Sequence, residues 1–368
     1  MADAPFKDSI NAATVAEQAT AMLAVYPAFD ASSFTAQATA GLEALELKDR
    51  VKQVASALRA HLPSDWSQTT RILVAAMPPA LPTAEKVASA LSWWPFVQVV
   101  EDYGVDEPEL SLNTLHALTQ TFSGEFAVRP IIEHHPDIAF PVLKRWSTDE
   151  NIHVRRLVSE GSRPRLPWGI RLKALVVDPS PTLPFLESLK DDDEEYVRRS
   201  VANHLNDISK DHPDLVLDIA ERWSVDAKPN LKRLIKHALR GLIKAGDARA
   251  LAVIGFTTPM VSEVQVDVSP TTIALGDAVT VSVTLTAGAT QGLMMDMALV
   301  RPTKMSSSTK VFKGVSKSVK AGDSVQLQKK LSIKKVTTRV YYPGEHRVDV
   351  VVNGVVVGSG RFELTTAG

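Results

Sequence analysis

Three carboxylates in the middle of the chain lie where acid chemistry could be done. Glu160 sits in Arg155-Arg156-Leu157-Val158-Ser159-Glu160-Gly161-Ser162-Arg163-Pro164-Arg165-Leu166-Pro167-Trp168-Gly169, one helical turn after Arg156, so the two can pair at i, i+4. Gly161 and the two prolines end that helix and begin an Arg-rich loop that finishes in the indole of Trp168. An aromatic face with a carboxylate beside it suits a planar, cationic group. The plainer alternative packs Trp168 on the next helix and leaves the loop arginines in solvent. Asp207 lies one turn beyond Asn203, the residue that takes the place of Glu160 one repeat later. Glu125, in Ser123-Gly124-Glu125-Phe126-Ala127-Val128-Arg129-Pro130, stands at a helix start, where Ser123 or Gly124 could cap and where a Glu by itself is most often a dipole partner. Together, on adjacent helices, the three acids are a stronger signal than any one alone. His134, His135, His153, His204 and His212 share no spacing that repeats as a metal site and read as surface histidines.

The elements that must carry these residues follow from periodicity. Over the first 250 or so residues apolar side chains recur every three or four positions, as in 45–58, and the Ala-rich segment 34–46 has high helix propensity. A unit repeats here. Trp146 precedes Arg155-Arg156, Leu189 precedes Arg198-Arg199, and Trp223 precedes Lys232-Arg233, at spacings of 43 and then 34 residues. A helix pair of about 40 residues is the period of HEAT and armadillo solenoids. Each unit is read as a first helix ending at Trp or Leu, an Asp cap, and a second helix opened by the basic pair. Basic residues in a first turn oppose the helix dipole. Either they bridge to Asp149, Glu150, Asp191 to Glu195 and Asp226, or they form a track for a polyanion backbone; spacing alone leaves the two readings even.

Near Phe256-Thr257-Thr258-Pro259 the period changes from helical to alternating. Val279-Thr280-Val281-Ser282-Val283-Thr284-Leu285 alternates strictly, and Asn353-Gly354 between valine runs is a strong hairpin signal. About seven short strands in the last hundred or so residues point to an immunoglobulin-like sandwich. The fold class is therefore multidomain: an all-α HEAT-like helical-repeat solenoid over residues 1–256, then an all-β Ig-like sandwich over 257–368.

The 368 residues carry a net charge of −1 and no cysteine, which excludes disulfides, thiolate metal sites and a Cys nucleophile. The small net charge hides an uneven distribution. Residues 1–120 hold 7 basic and 14 acidic residues, residues 121–260 hold 21 and 20, and residues 261–368 hold 13 and 8. No apolar run is long enough for a membrane span and the N-terminus lacks a basic signal segment, so the expected location is cytoplasmic, with no membrane partner.

The segments Ser123 to Pro130, His153 to Trp168 and Tyr196 to Ile208 closely resemble the AlkC branch of the AlkC/AlkD-type DNA alkylation repair proteins. Arg301-Pro302-Thr303-Lys304-Met305 through Lys313, followed by Arg339 to Gly344, is similar to the Ig-like domain appended in part of that branch. Phe6-Lys7-Asp8 and Trp93-Trp94-Pro95-Phe96 are similar to the family too, without assigned chemistry. The resemblance implies a monofunctional DNA glycosylase of base excision repair that removes the cationic bases 3-methyladenine and 3-methylcytosine from double-stranded DNA. It would act as a monomer, associated with the nucleoid, with no cofactor and no metal. Carried over, Glu125, Glu160 and Asp207 surround the lesion sugar and its attacking water, and Trp168 contacts the lesion. Arg156 and Arg163 hold flanking phosphates, with Arg199 a weaker candidate. Lys304, Lys310 and Lys313 lie near the backbone as the Ig-like domain clamps the DNA. Leu293-Met294-Met295 is read either as a minor-groove probe or as core. The competing expectations are a non-enzymatic HEAT-type scaffold and a damaged-DNA binder without chemistry.

Overall fold

The computed structural model describes residues 5–83, 90–334 and 340–365. Arg339 and residues 1–4 lie outside them. Sixteen α-helices precede the strands among the described residues: α1 (Ala12–Val25), α2 (Ala31–Thr39), α3 (Leu47–Ala60), α4 (Trp66–Ala76), α5 (Trp94–Tyr103), α6 (Pro108–Leu118), α7 (Val128–His134), α8 (Pro136–Trp146), α9 (Ile152–Gly161), α10 (Lys173–Val177), α11 (Leu183–Leu189), α12 (Glu195–Ile208), α13 (Pro213–Ser224), α14 (Pro229–Ala238), α15 (Arg240–Ala245) and α16 (Ala248–Val253). None is long and apolar enough to cross a membrane. Two units pack separately. One runs to His212 and adds Pro229–Ala238; the other holds Pro213–Lys228 and the chain from Leu239 onward.

In the first unit the repeat falls on helix pairs as its period predicts. Trp146 closes α8 and Arg155-Arg156 lie in α9; Leu189 closes α11 and Arg198-Arg199 lie in α12. The second helices stack in series, α9 on α12 and α12 on α14. Their apolar stripes supply the seam: Val154, Leu157 and Val158 of α9, and Val197, Val201 and Leu205 of α12, are all buried. Upstream, α3 packs on α5 and α5 on α7, which brings the N-terminal helices to the start of the repeat.

Two local details depart from propensity and spacing. The Ala-rich segment 34–46 is helical in two pieces, because Gly41 adopts a left-handed φ of 66°, α2 ends at Thr39 and a short turn of 3-10 helix follows. Propensity gave way to a glycine that suits a reversal. The caps also differ. Asn151, not Asp149, caps α9, accepting from the amides of His153 and Val154, while Asp149 Oδ1 accepts from Asn151 N at 2.8 Å and shapes the turn before it. The helix α12 has no side-chain cap; Asp192 Oδ1 instead accepts from the amide of Glu194, at 2.9 Å.

The second unit contains eight strands: β1 (Val261–Ser269), β2 (Thr272–Ala274), β3 (Ala278–Ala287), β4 (Gln291–Pro302), β5 (Ser307–Val319), β6 (Ser324–Ser332), β7 (Gly344–Val352) and β8 (Val355–Thr365). They form two sheets, ordered β1-β3-β6 and β2-β8-β7-β4-β5. Alternate residues of β3, among them Val279, Val281, Val283 and Leu285, enter the core against Leu293, Met295, Met297 and Leu299 of β4. This is the Ig-like sandwich expected from the alternation, with one short strand, β2, more than was counted. Asn353 and Gly354 turn the β7–β8 hairpin with φ of 45° and 82°, as a two-residue turn with both φ positive requires. Of the two readings of Leu293-Met294-Met295, core packing holds for Leu293 and Met295, while Met294 is half-buried on the other face of the strand. Leu293 and Met295 point inward on the alternating strand and are buried in the sandwich core.

Candidate active site

The turn before α7, the end of α9, the loop after it and the end of α12 bring the three acids into one row with two arginines between them. Glu125 lies in the turn leading into α7. Ser123 does not cap that helix; its hydroxyl donates to Glu125 Oε2 at 2.9 Å. Arg156 projects from α9 and donates to both, at 2.7 Å to Ser123 Oγ and in a short bond to Glu125 Oε2. Its other amino group is 3.5 Å from Glu160 Oε1, the i, i+4 pair read from the sequence. Glu160, in the last turn of α9, is the hub. Its Oε1 accepts from Arg163 at 2.6 Å and its Oε2 from the Ser200 hydroxyl of α12 at 2.6 Å. Arg163 donates onward to Asp207 Oδ2 at 2.8 Å, and Lys210 closes the row on Asp207 Oδ1 at 2.9 Å.

Charges alternate along this row, as burial demands. Glu160, Arg163 and Asp207 are all buried, and an unpaired ion there would be expensive. Burial alone would raise the Glu160 carboxyl, but Arg156 and Arg163, with the Ser200 hydroxyl, outweigh it and hold the group below the usual carboxylate range. Burial likewise opposes the charges of Arg156 and Arg163, and their carboxylate partners more than restore them. The Arg156 guanidinium also lies 5.2 Å from the centre of the Tyr196 ring. A group held ionised in this way cannot donate a proton as a general acid. It can face a developing cation or hold a water.

Trp168 lies in the loop that follows α9, after Arg163 and Arg165. Both halves of the plainer alternative are reversed here: the arginines are paired and the indole is exposed. Arg165 forms a two-pronged pair with Asp211, at 2.8 and 2.6 Å, and the indole residue is 67% solvent-exposed. Trp168 has a φ of 65°. A bulky side chain in the left-handed region costs on the order of 1–3 kcal/mol, so surrounding contacts must impose it. One of them is Arg129, fully buried, which donates to the carbonyls of Gly161 and Arg163 at 2.8 Å and to that of Ile170. It clamps both ends of the loop from beneath. Burial pulls its guanidinium down to about 10, with Arg163 acting in the same direction.

Residues 123–240 match the family described as DNA alkylation repair enzyme, and residues 262–366 match the one described as the C-terminal Ig-like domain of the uncharacterised protein YhaZ. The chain is 36% identical over 322 residues to the uncharacterized protein YhaZ of Bacillus subtilis strain 168, covering 87% of this chain and 88% of that one. It is also similar to the solved structure of the Pseudomonas fluorescens alkylpurine DNA glycosylase AlkC bound to DNA containing an abasic site analog. That match has a TM-score of 0.85 at 40% identity and covers 98% of this chain and 100% of the other. The chain belongs to the AlkC-type DNA alkylation repair family.

The remaining site expectations for this AlkC-type chain are spread more widely. The two members of each basic pair do different work. Arg155 turns to Asp192 at 2.6 Å and ties repeat to repeat, whereas Arg198 donates to the Asp192 carbonyl in the turn ahead of its own helix. Arg199 is exposed and pairs with Glu195 at 2.8 Å on its own helix. It lines an open groove of about 480 Å³ with Arg198, Asn230, Arg233 and His237. In the Ig-like unit Lys304 is exposed between β4 and β5, Lys310 lies 4.5 Å from the Phe312 ring centre, and Lys313 is exposed, all on or beside β5 at the edge of its sheet. Among the described residues no three His, Asp or Glu side chains converge as metal ligands. The histidine expectation needs correcting, since His153 and His204 are buried and His204 Nδ1 lies 2.9 Å from the Ser159 carbonyl.

Arg129, Ser200, Lys210 and Lys48 were not singled out from the sequence. For Arg129 a signal existed: a lone cation in Phe126-Ala127-Val128-Arg129-Pro130-Ile131-Ile132 has no polar neighbours in sequence, and its partners must come from elsewhere in the fold.

Proposed function

We propose that this AlkC-type chain is a monofunctional DNA glycosylase that hydrolyses the N-glycosidic bond of cationic alkylated bases in duplex DNA, 3-methylcytosine and 3-methyladenine, leaving an abasic site. The observation that carries this reading is the row of three carboxylates braced by two arginines, with an exposed indole in the loop that begins at Arg163. An alkylated base is already a cation, so when the C1′–N bond breaks its electron pair neutralises the leaving base and no general acid is required. The sugar becomes an oxocarbenium ion. A carboxylate about 4 Å from that charge contributes roughly 4 kcal/mol at an effective dielectric near 20, or about a thousandfold in rate. Water then adds at C1′ and gives up its proton to a carboxylate or to solvent.

In this reading Glu125, Glu160 and Asp207 supply the negative charge and orient the water, Trp168 lies against the lesion, and Arg156 and Arg163 hold the carboxylates in place and face the flanking phosphates. Arg199 extends the contact to the next repeat. The helical domain of residues 1–256 carries the chemistry, and the Ig-like domain of 257–368 adds a basic clamp through Lys304, Lys310 and Lys313. Phosphate neutralisation of this kind makes binding weaken with salt.

The test is release of 3-methyladenine from methylated duplex DNA by the purified chain, with abasic sites cleaved by alkali. Glu160→Gln removes the central charge and is expected to slow release roughly a thousandfold. Unchanged release by that variant would remove Glu160 from its assigned role. Binding of damaged duplex without abasic sites would identify a damage-binding protein, and no DNA binding a scaffold.

A further inference from the structure

The first 90 residues have no assigned role and precede the stretch that matches the alkylation repair family, yet one of their side chains reaches the site. Lys48, in the first turn of α3, donates from Nζ to the Trp168 carbonyl at 2.5 Å, across 120 residues of sequence. The same ammonium lies 5.4 Å from the centre of the Phe126 ring, next to Glu125. Phe126 in turn stacks on Trp94, with ring centres 5.3 Å apart and planes at 16°. The Trp93-Trp94-Pro95-Phe96 block, which carries no chemistry of its own, is thus the floor under Phe126. Lys48 therefore joins the two halves of the site, the Glu125 turn and the Trp168 loop, and it acts on the backbone of the residue whose φ is left-handed.

We propose that Lys48 is a positioning residue for Trp168. Its ammonium, held over Phe126, fixes the Trp168 carbonyl and so the turn that presents the exposed indole. The loop has two anchors of different kinds. Arg129 ties the carbonyls on either side of Trp168 from within the core, whereas Lys48 holds the Trp168 peptide itself from the exposed face. The Glu101 carboxyl of α5 is near both Lys48 and Lys52 of α3. The inference rests on the reading of Trp168 as the lesion contact, and the experiment separates the two.

The full chain is labelled with 5-fluorotryptophan, the Trp168 resonance is assigned by its loss in Trp168→Phe, and single-turnover release of 3-methyladenine is measured for Lys48→Met and Lys48→Arg. Lys48 is exposed, so both variants fold. In Lys48→Met the Trp168 resonance is expected to shift or broaden and release to slow about ten- to a hundredfold, the cost of a misplaced contact. Lys48→Arg, which can still donate to the carbonyl, restores both. An unmoved Trp168 resonance in Lys48→Met overturns the proposal, whatever the rate. A resonance that moves in Lys48→Met, together with full activity of Trp168→Phe and Trp168→Ala, upholds the positioning role and removes Trp168 from the chemistry.

Discussion

Arg163 shows what a single side chain does in a buried charged row. It donates to Glu160 and Asp207 at once from different nitrogens, a geometry that the rigid planar fork of a guanidinium fixes and the compact point charge of an ammonium does not reproduce. Arg163→Met would leave two buried carboxylates facing each other without a cation between them. The expected cost is about 3–5 kcal/mol of folding stability, read as a lower urea midpoint at unchanged slope. Arg163→Lys is expected to recover only part of it. Sequence spacing gave the Arg156–Glu160 pair, which is one turn of one helix. It could not give Arg163–Asp207, whose partners are 44 positions apart and meet only because α9 and α12 lie side by side.

At the scale of elements, the placement of Glu160 depends on how closely α9 approaches α7. Gly161 permits that approach, since a Cβ there would collide with Val128 Cγ1 of α7. The residue was legible in the sequence as a helix terminator, and it does end α9. Its packing role was not legible, because the partner surface is set by the crossing of two helices. Gly161→Ala is expected to push α9 outward and to destabilise the protein by roughly 1–3 kcal/mol. Methyladenine release should fall with it, since the carboxylate moves with the helix. Chemical denaturation and single-turnover release on the same variant check both. Wild-type stability together with wild-type release would show that the helices have room to spare. The repeat itself was plain from the Trp/Leu-to-basic-pair offset, but the Asp caps assigned to it were misplaced by the local choice of Asn151.

For the whole molecule, the buried His204 and the half-buried Glu101 make opposite demands on pH. Burial lowers His204 to about 4, so between that value and the 6.5 of an ordinary histidine the unfolded chain binds more protons. Its contribution is present above about 6.5 and is lost as pH falls through about 4. Glu101 is raised to about 7, first by burial and then by Asp102, so the folded chain binds more protons between 4.5 and 7. That contribution is present below about 4.5 and is lost as pH rises through about 7. A shift of this size is worth up to about 3 kcal/mol for the fully buried His204 and less for the partly exposed Glu101. Relative to the wild type, Glu101→Gln is expected to gain stability with rising pH from about 4.5 to 7, and His204→Gln to lose it from about 4 to 6.5. Parallel stability–pH curves for wild type and variants would contradict both assignments. The sequence by itself determined the helical and alternating periods, the place where one gives way to the other, the Asn353-Gly354 hairpin and the residue types of the site, because each is set by neighbours within a few positions. Only the tertiary structure decided that Arg156 also reaches Glu125 and Arg163 reaches Asp207, that Arg129 and Lys48 hold the Trp168 loop, and that the indole stands in solvent. Those contacts join residues 31 to 120 positions apart, and nothing in local spacing fixes how packed helices meet.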